Sequence, residues 1–369
     1  MLARSEPGPA RTWRAPGRVN LIGDHTDYQD GLCLPMAIDR ECRVTVTPIG
    51  GDSVRARSAE LPGTVAVTVD GRADPTAVEP HWGRFVAGAV AAFGARGARL
   101  QPCDLEITST VPAGSGLSSS SALTVALVVA FADRAGLDLD RTGLARVALD
   151  AEVRATGVPG GLMDQMAALH AVPGNVLLLD CRTLAVEPIP LPRSLGVVVV
   201  HSGRERTLAD SAYAARRAEV EAVATRLGVA TLRDATVQQV RADPRARHVV
   251  TENARVLAFA DALRAGATAD LGPLMLESHA SLRDDFGVST PELDRAVDLL
   301  MANGALGARL TGAGFGGCVV GLVQRNHADD VLAKVARALM AAGDTSPLAF
   351  AVRPGAPAGE LSRSAPPIV

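Results

Sequence analysis

Aromatic side chains are scarce: they make up 3% of the 369 residues, so the core has to be assembled from aliphatic side chains and packed helices. A basic excess is missing too. The formal net charge is −3 and the sequence pI is near 6.2, which argues against nucleic acid as the main ligand, because a phosphate backbone calls for a positive patch. The five cysteines, Cys33, Cys42, Cys103, Cys181 and Cys318, form no CxxC pair that would start a zinc or redox site. Their odd number and wide spacing suit a reducing cytoplasm. The first residues, MLARSEPGPARTWRAPG, contain three arginines but no apolar stretch of the secretory type. The longest apolar run, residues 122–132, is interrupted by Thr124 and stops at Asp133, too short for a bilayer. Repeats and heptads are also lacking, and only the Pro-rich last dozen residues, expected to fray, are compositionally biased. These absences leave a cytoplasmic protein whose partners are small molecules, with no nucleic acid and no membrane.

A chain of this length is expected to form two domains, because single cores stop growing below it, and a cleft between two lobes follows. Val-rich alternation at 43–47 and 64–69 predicts antiparallel strands. Trp82, Phe85, Val86, Val90 and Phe93 then recur at helical spacing. A strand at 105–110 leads through VPAGSGLSSSS into a long apolar helix, and a helix over 143–155 precedes GVPGGLMDQ. Residues 176–180 and 196–201 predict buried strands. The turn expected around 188–192 between them is the candidate boundary, dividing the chain into 1–190 and 191–369. Residues 207–300 are mostly amphipathic helix, and LTGAGFGGCVVGLV runs into a strand near Val319.

Four segments carry chemistry. In the glycine and serine loop a strand delivers Gly114, Ser115 and Gly116, then serines at 118–121, and a helix begins; backbone N–H groups and a helix N-terminus converge there, as at a phosphate site. GxxxxGK[ST] is absent and no lysine is near, so it is no Walker A loop; an ordinary capped helix fits the same residues. RVNLIGDHTDY packs Arg18, Asp24, His25, Asp27 and Tyr28 into eleven residues, a set suited to a polyhydroxylated ligand, though turns are rich in such residues anyway. Asp164 follows two glycines and two bulky apolar residues, either a desolvated acid that needs a cationic partner or a first-turn helix aspartate. GAGFGG at 312–317 allows close backbone approach to a ligand, or closes a tight turn. Together they make a phosphotransferase plausible.

The stretch APGRVNLIGDHTDYQDGLCLPMAI resembles the galactokinase signature. GSGLSSSSAL and LTGAGFGGC resemble the second and third motifs of the wider superfamily of galactokinase, homoserine kinase, mevalonate kinase and phosphomevalonate kinase, the GHMP kinases. GGLMDQMAAL, LLLDCRTL, RHVVTEN, ESHASLRDDFGVSTPELD and GALGARLTGAGFGGC extend the likeness in order over most of the chain. The second and third motifs point only to the superfamily; the first, with MDQ and SLRDDF, points to galactokinases. The resemblance implies an α+β two-domain kinase with its active site in the interdomain cleft, a monomer that moves the γ-phosphoryl group of ATP to the anomeric hydroxyl of galactose with Mg²⁺ as cofactor. It assigns Asp164 and Arg18 to the reacting centre, Ser120 and Glu152 to the metal, and Gly114, Ser115, Gly116, Leu117, Ser118 and Ser119 to the nucleotide phosphates, with Trp82 near the adenine. Asp24, His25, Asp27 and Tyr213, with backbone near Gly161, fall at the sugar.

Three departures from the family pattern stand out. Galactokinases usually carry Glu at the position of Asp24, which is associated with the C6 hydroxyl, and the lost methylene pulls the carboxylate back by about 1.5 Å; altered recognition at C6 is expected. HSGRER at 201–206 replaces an asparagine-containing segment, and Ser121 and Ala122 invert the usual order after the serines. A kinase for galacturonic acid, arabinose or N-acetylgalactosamine is the alternative, and a sugar and ATP sensor without turnover is another. The intact Arg18, Asp164, Ser120 and Glu152 argue against the sensor.

Overall fold

The computed structural model describes residues 9–204 and 209–361; Glu205 and Arg206 of HSGRER and residues 362–369 lie outside them, whereas residues 358–361, the start of the tail expected to fray, are held in place by pairing with the first strand and by backbone hydrogen bonds. The strands are β1 (Arg11–Asn20), β2 (Leu32–Cys33), β3 (Pro35–Pro48), β4 (Ser53–Ser58), β5 (Thr64–Thr68), β6 (Cys103–Ser109), β7 (Asn175–Asp180), β8 (Val186–Pro190), β9 (Leu195–His201), β10 (Gly307–Leu310), β11 (Cys318–Gln324), β12 (Ala349–Val352) and β13 (Gly359–Glu360). Between them run α1 (Gly83–Gly94), α2 (Ser119–Ala135), α3 (Arg141–Thr156), α4 (Met163–His170), α5 (Ala209–Leu227), α6 (Val237–Val240), α7 (Pro244–Ala265), α8 (Thr268–Ser281), α9 (Pro291–Ala302) and α10 (Ala328–Ala341). The α+β class is as expected.

A six-stranded sheet has the order β13-β1-β3-β6-β4-β5. All its pairs are antiparallel except β4 with β6, which are joined through β5 and α1. Helices α1, α2 and α3 pack together, and α2 lies against β1 and β3. The apolar spacing of Phe85, Val86, Val90 and Phe93 serves this layer: all four are buried, with Trp82 ahead of them.

A second sheet, β10-β11-β9-β12, is antiparallel throughout. The four consecutive valines of β9 are all buried, Val197 and Val199 in one apolar cluster and Val198 and Val200 in the other. A strand covered on both faces needs no polar alternation, which is why it reads as a continuous apolar run. This sheet is therefore the wall between the two cores. One core continues from the first sheet to residues of α7 and α8; the other holds α9, α10 and the π-helical turn Leu282–Phe286.

The stretch expected to turn around 188–192 differs from the expectation. Val186–Pro190 is a strand that pairs with β7 at the edge of the small sheet β2-β7-β8. Proline lacks an N–H, and an edge strand tolerates that loss on its outer side. Leu195 then opens the second sheet, while β13 returns to pair with β1.

Candidate active site

Arg18, near the end of β1, is almost fully buried. Its Nε donates to Asp164 Oδ1 at 2.7 Å and its Nη2 to Oδ2 at 2.8 Å, while Nη1 donates to the Gly116 carbonyl at 2.6 Å. A planar fork on a carboxylate is the strongest arrangement open to such a pair. Asp164 stands in the first turn of α4, where the helix dipole also favours negative charge, and the Ser118 hydroxyl donates to its Oδ2. Ser118 itself has φ +63°, a left-handed conformation that non-glycine residues keep only where their surroundings enforce it. The cationic partner that Asp164 needs is thus Arg18, 146 residues away in sequence.

Gly114, Gly116, Ser118, Ser119 and Ser120 border a cavity of about 650 Å³, which also takes in Arg18, Asp24, His25, Asp27, Trp82, Glu152, Gly161, Asp164 and Tyr213. The segments singled out in the sequence are thereby brought together. Ser115 and Leu117 face elsewhere: Ser115 Oγ donates to the Pro112 carbonyl at 2.7 Å, and Leu117 is buried with its carbonyl accepting the Arg18 N–H at 3.1 Å. Their side chains serve the fold of the loop, which leaves only their backbone for a phosphate. Trp82 donates its indole N–H to the Pro62 carbonyl at 3.0 Å, which fixes its ring in the cavity wall.

Glu152 of α3 is enclosed by protein yet borders the cavity. It accepts from Ser120 Oγ at 2.9 Å, Ser121 Oγ at 2.9 Å and Gln165 Nε2 at 2.7 Å. All three donors are neutral. Enclosure, and then the charge of Asp164, push its carboxyl up to about 7.

The polar loop presents three groups in different states. Asp24 is buried; its Oδ1 accepts from Asn20 Nδ2 at 3.0 Å and from the Gly312 N–H at 3.2 Å. Its Oδ2 lies 2.7 Å from Arg309 Nη2, a contact of charge whose angle is poor, so that both atoms lack a hydrogen bond. Burial raises this carboxyl, and Arg309 opposes the shift. His25 has φ +62°; its Nε2 donates to the Ala313 carbonyl at 3.1 Å, since a carbonyl only accepts, and its Nδ1 is 3.0 Å from the Tyr28 hydroxyl. The ring therefore ties the polar loop to the GAGFGG turn, wedged against Phe286 and Tyr213 with centroids at 4.5 and 5.7 Å. Asp27 folds its carboxylate over Gly161, where an added Cβ would fall 1.7 Å from Oδ2. Enclosure, then the charges of Asp164 and Asp24, push Asp27 up to about 6.

Sequence reasoning gave no role to Gln165 or Arg309, and placed Ser121 and Ala313 in their loops without the partners Glu152 and His25 that the structure gives them. Gln165 lies in GGLMDQ, but a glutamine carries no chemistry of its own until its partner Glu152 is known. Arg309 sits in a strand whose neighbours are all apolar, and its pairing with Asp24 is a contact across 285 positions. Among the described residues no group of three or more His, Cys, Asp or Glu side chains is placed to hold a metal, and no helix is long and apolar enough to cross a membrane.

The chain matches the family models for the GHMP kinases N terminal domain over residues 84–171, the galactokinase galactose-binding signature over 4–48 and the GHMP kinases C terminal over 259–341. A galactokinase of Roseiflexus sp. is 44% identical over 331 residues, covering 86% of this chain and 84% of that protein. One from Mycobacterium bovis is 41% identical, covering 91% and 95%. Among solved structures, Lactococcus lactis galactokinase complexed with galactose superposes with a TM-score of 0.88 at 29% identity, with 95% of each chain covered. Methanococcus jannaschii mevalonate kinase, at 18% identity and a TM-score of 0.69, shares the fold.

Proposed function

This chain belongs to the galactokinase family of the GHMP kinases, and from that premise we propose how its own residues divide the work of moving a phosphoryl group from ATP to galactose. The chain phosphorylates galactose with ATP; the anomeric hydroxyl is the acceptor in this reading. Asp164 orients that hydroxyl and takes its proton. Arg18 fixes the carboxylate from two sides and sets positive charge beside the oxygens on which negative charge develops. Phosphoryl transfer asks chiefly for such positioning and charge stabilisation. The backbone of 114–119 receives the nucleotide phosphates and Trp82 flanks the base. Asp27, Asp24 and Tyr213 face the sugar, and its epimers are told apart because a misplaced hydroxyl leaves a buried polar group unpaired. His25 contributes by holding the loop to Ala313. All these residues come from one chain, so the site is complete without a second copy.

Mg²⁺ accompanies ATP in this reading, and the donor set fits it. Glu152 is an enclosed carboxylate served only by neutral donors, and its upward shift marks a want of positive charge beside it. Ser120 and Glu152 would hold the cation with hard oxygen atoms; a single carboxylate suits an ion that keeps waters and shares phosphate oxygens. Bound there, it would neutralise charge on the phosphates.

The observation that carries the proposal is the bidentate Arg18–Asp164 pair facing both the serine loop and the polar loop. A coupled ADP-release assay over galactose, galacturonic acid, arabinose and N-acetylgalactosamine tests it. Galactose turnover is expected, with Asp164→Asn lowering kcat by roughly a thousandfold or more, the scale on which loss of a central charged group acts. Sugar binding without turnover on any member would establish the sensor instead. One observation favours a second reading at C6: both oxygens of Asp24 are engaged by Asn20, Gly312 and Arg309, which draws the shortened carboxylate away from the sugar. Higher kcat/KM on a C6-altered sugar than on galactose would decide for it.

A further inference from the structure

The polar loop shows Asp24, His25 and Asp27 to the cavity, and its back rests on α7, whose RHVVTEN segment has no role in the chemistry above. His248, Glu252 and Val256 recur there every fourth residue, the spacing of one helix face. Glu252 has no exposed surface; it accepts from the Gly23 N–H at 2.9 Å, Arg255 Nε at 2.7 Å and Ser278 Oγ at 2.5 Å. Burial alone would raise its carboxyl, but its surroundings outweigh that and hold it at about 2, His248 when it is protonated and Arg255 and Arg309 at every pH. His248 is equally buried, with Nε2 3.1 Å from the Asp24 carbonyl and Nδ1 2.9 Å from Ser281 Oγ. Because the carbonyl only accepts, Nε2 carries the proton; Nδ1 faces the Ser281 hydroxyl, whose one proton it shares with Asp285 Oδ2 at 3.3 Å. Burial lowers this imidazole and keeps it neutral. Val256 occupies the space beside Gly23, where a Cβ would fall 2.8 Å from it. Asn253 Oδ1 accepts the Leu32 N–H at 2.8 Å, where the loop rejoins β2.

The helix thus grips one N–H and one C=O on successive residues, and the next residue is His25 in its left-handed conformation. Such a conformation persists only where the surroundings over-determine it. Inside the loop the buried Thr26 hydroxyl donates to the Gly23 carbonyl at 3.0 Å, while the helix holds the other two backbone groups, the Gly23 N–H and the Asp24 carbonyl. We propose that His248 and Glu252 are positioning residues for sugar recognition, acting through the Gly23–Asp24 backbone to aim the side chains of Asp24, His25 and Asp27. This rests on the sugar-binding reading of the polar loop given above.

The test is steady-state kinetics of the full chain with His248→Leu, His248→Gln and Glu252→Gln, each with its Tm. His248→Leu is expected to raise the galactose KM about tenfold while the ATP KM stays within twofold. His248→Gln, whose amide N–H can still reach the Asp24 carbonyl, is expected to recover most of that change, and Glu252→Gln to shift the galactose KM alone, because its amide nitrogen would meet the Arg255 Nε–H donor and turn the side chain off the Gly23 N–H. A galactose KM unmoved in folded variants, both KM values rising together, or Gln at 248 behaving like Leu would overturn the proposal. Where His248→Leu does not fold, His248→Gln beside Glu252→Gln gives the same readout: a galactose KM unmoved by Glu252→Gln counts against it. Absence of galactose turnover in the unaltered chain is a separate outcome, which removes the reaction and the inference with it.

Discussion

Asp27 holds a carboxyl that the fold makes harder to ionise, with a value of about 6 against 3.8 for the free group. A carboxyl that binds its proton more tightly when folded contributes stability below pH 3.8 and loses it as pH rises through 6. At neutral pH the charge is a net burden, at most about 3 kcal/mol by the size of the shift and less because the group borders the cavity. Asp27→Asn is isosteric and removes the charge. It is expected to raise Tm at pH 8, with the gain fading toward pH 4, and to lower kcat/KM for galactose. The unaltered chain should lose kcat/KM for galactose below about pH 6, and the variant should lose the part of that acid limb that Asp27 supplies, the part from Glu152 remaining. Thermal melts and pH profiles of the two proteins check this; a variant no more stable at pH 8 than at pH 4 would show that Asp27 is not strained by its charge. The trade of stability for a buried functional charge is common at active sites.

At the scale of elements, the approach of the GVPGG turn to the polar loop depends on the missing side chain at Gly161. An alanine there would place its Cβ 1.7 Å from Asp27 Oδ2, so the loop, the carboxylate or the start of α4 has to move. Gly161→Ala is expected to lower galactose kcat/KM at least tenfold while leaving the ATP KM unchanged, and Asp27→Ala in the same chain should relieve the structural strain, seen as a recovered Tm, without restoring activity. An unchanged galactose kcat/KM would mean that the two segments part in solution. Legibility in the sequence followed the same division. The glycine loops, Asp164 and the polar loop could be read because each is a short local cluster whose backbone or charge is unusual by itself. Strand β8 could not, since Pro188 and Pro190 signal a turn wherever sheet position is unknown, and only the edge place beside β7 permits them. Nor could the pairing of Arg309 with Asp24, or the grip of His248 and Glu252 on Gly23 and Asp24; helical spacing shows that α7 has a face, but not which loop lies on it.

At the scale of the whole molecule, the line between the two cores runs along the second sheet, and the chain crosses back over it at its far end. Strand β13 pairs with β1 at Trp13 and Arg14, the Leu361 N–H donates to the Thr12 carbonyl at 2.8 Å, and the Ala358 N–H donates to the Ala168 carbonyl at 2.8 Å. Residues 358–361 therefore bridge β1, which carries Arg18, and α4, which carries Asp164 four residues before Ala168. The exposed Arg11–Glu360 pair adds little to this; the backbone bonds are what tie the two elements. Ending the chain at Pro357, rather than at Leu361, removes those bonds and opens the edge of β1. At roughly 0.5–1.5 kcal/mol for each bond, a loss of about 2–4 kcal/mol of stability is expected. Because the tie spans the two carriers of the reacting pair, kcat is expected to fall several-fold at temperatures well below Tm, with the ATP KM unchanged. Comparing the two truncated chains by thermal melting and by ADP release separates the effects: a lower Tm with kcat intact would show that β13 holds the fold together without helping to align Arg18 on Asp164.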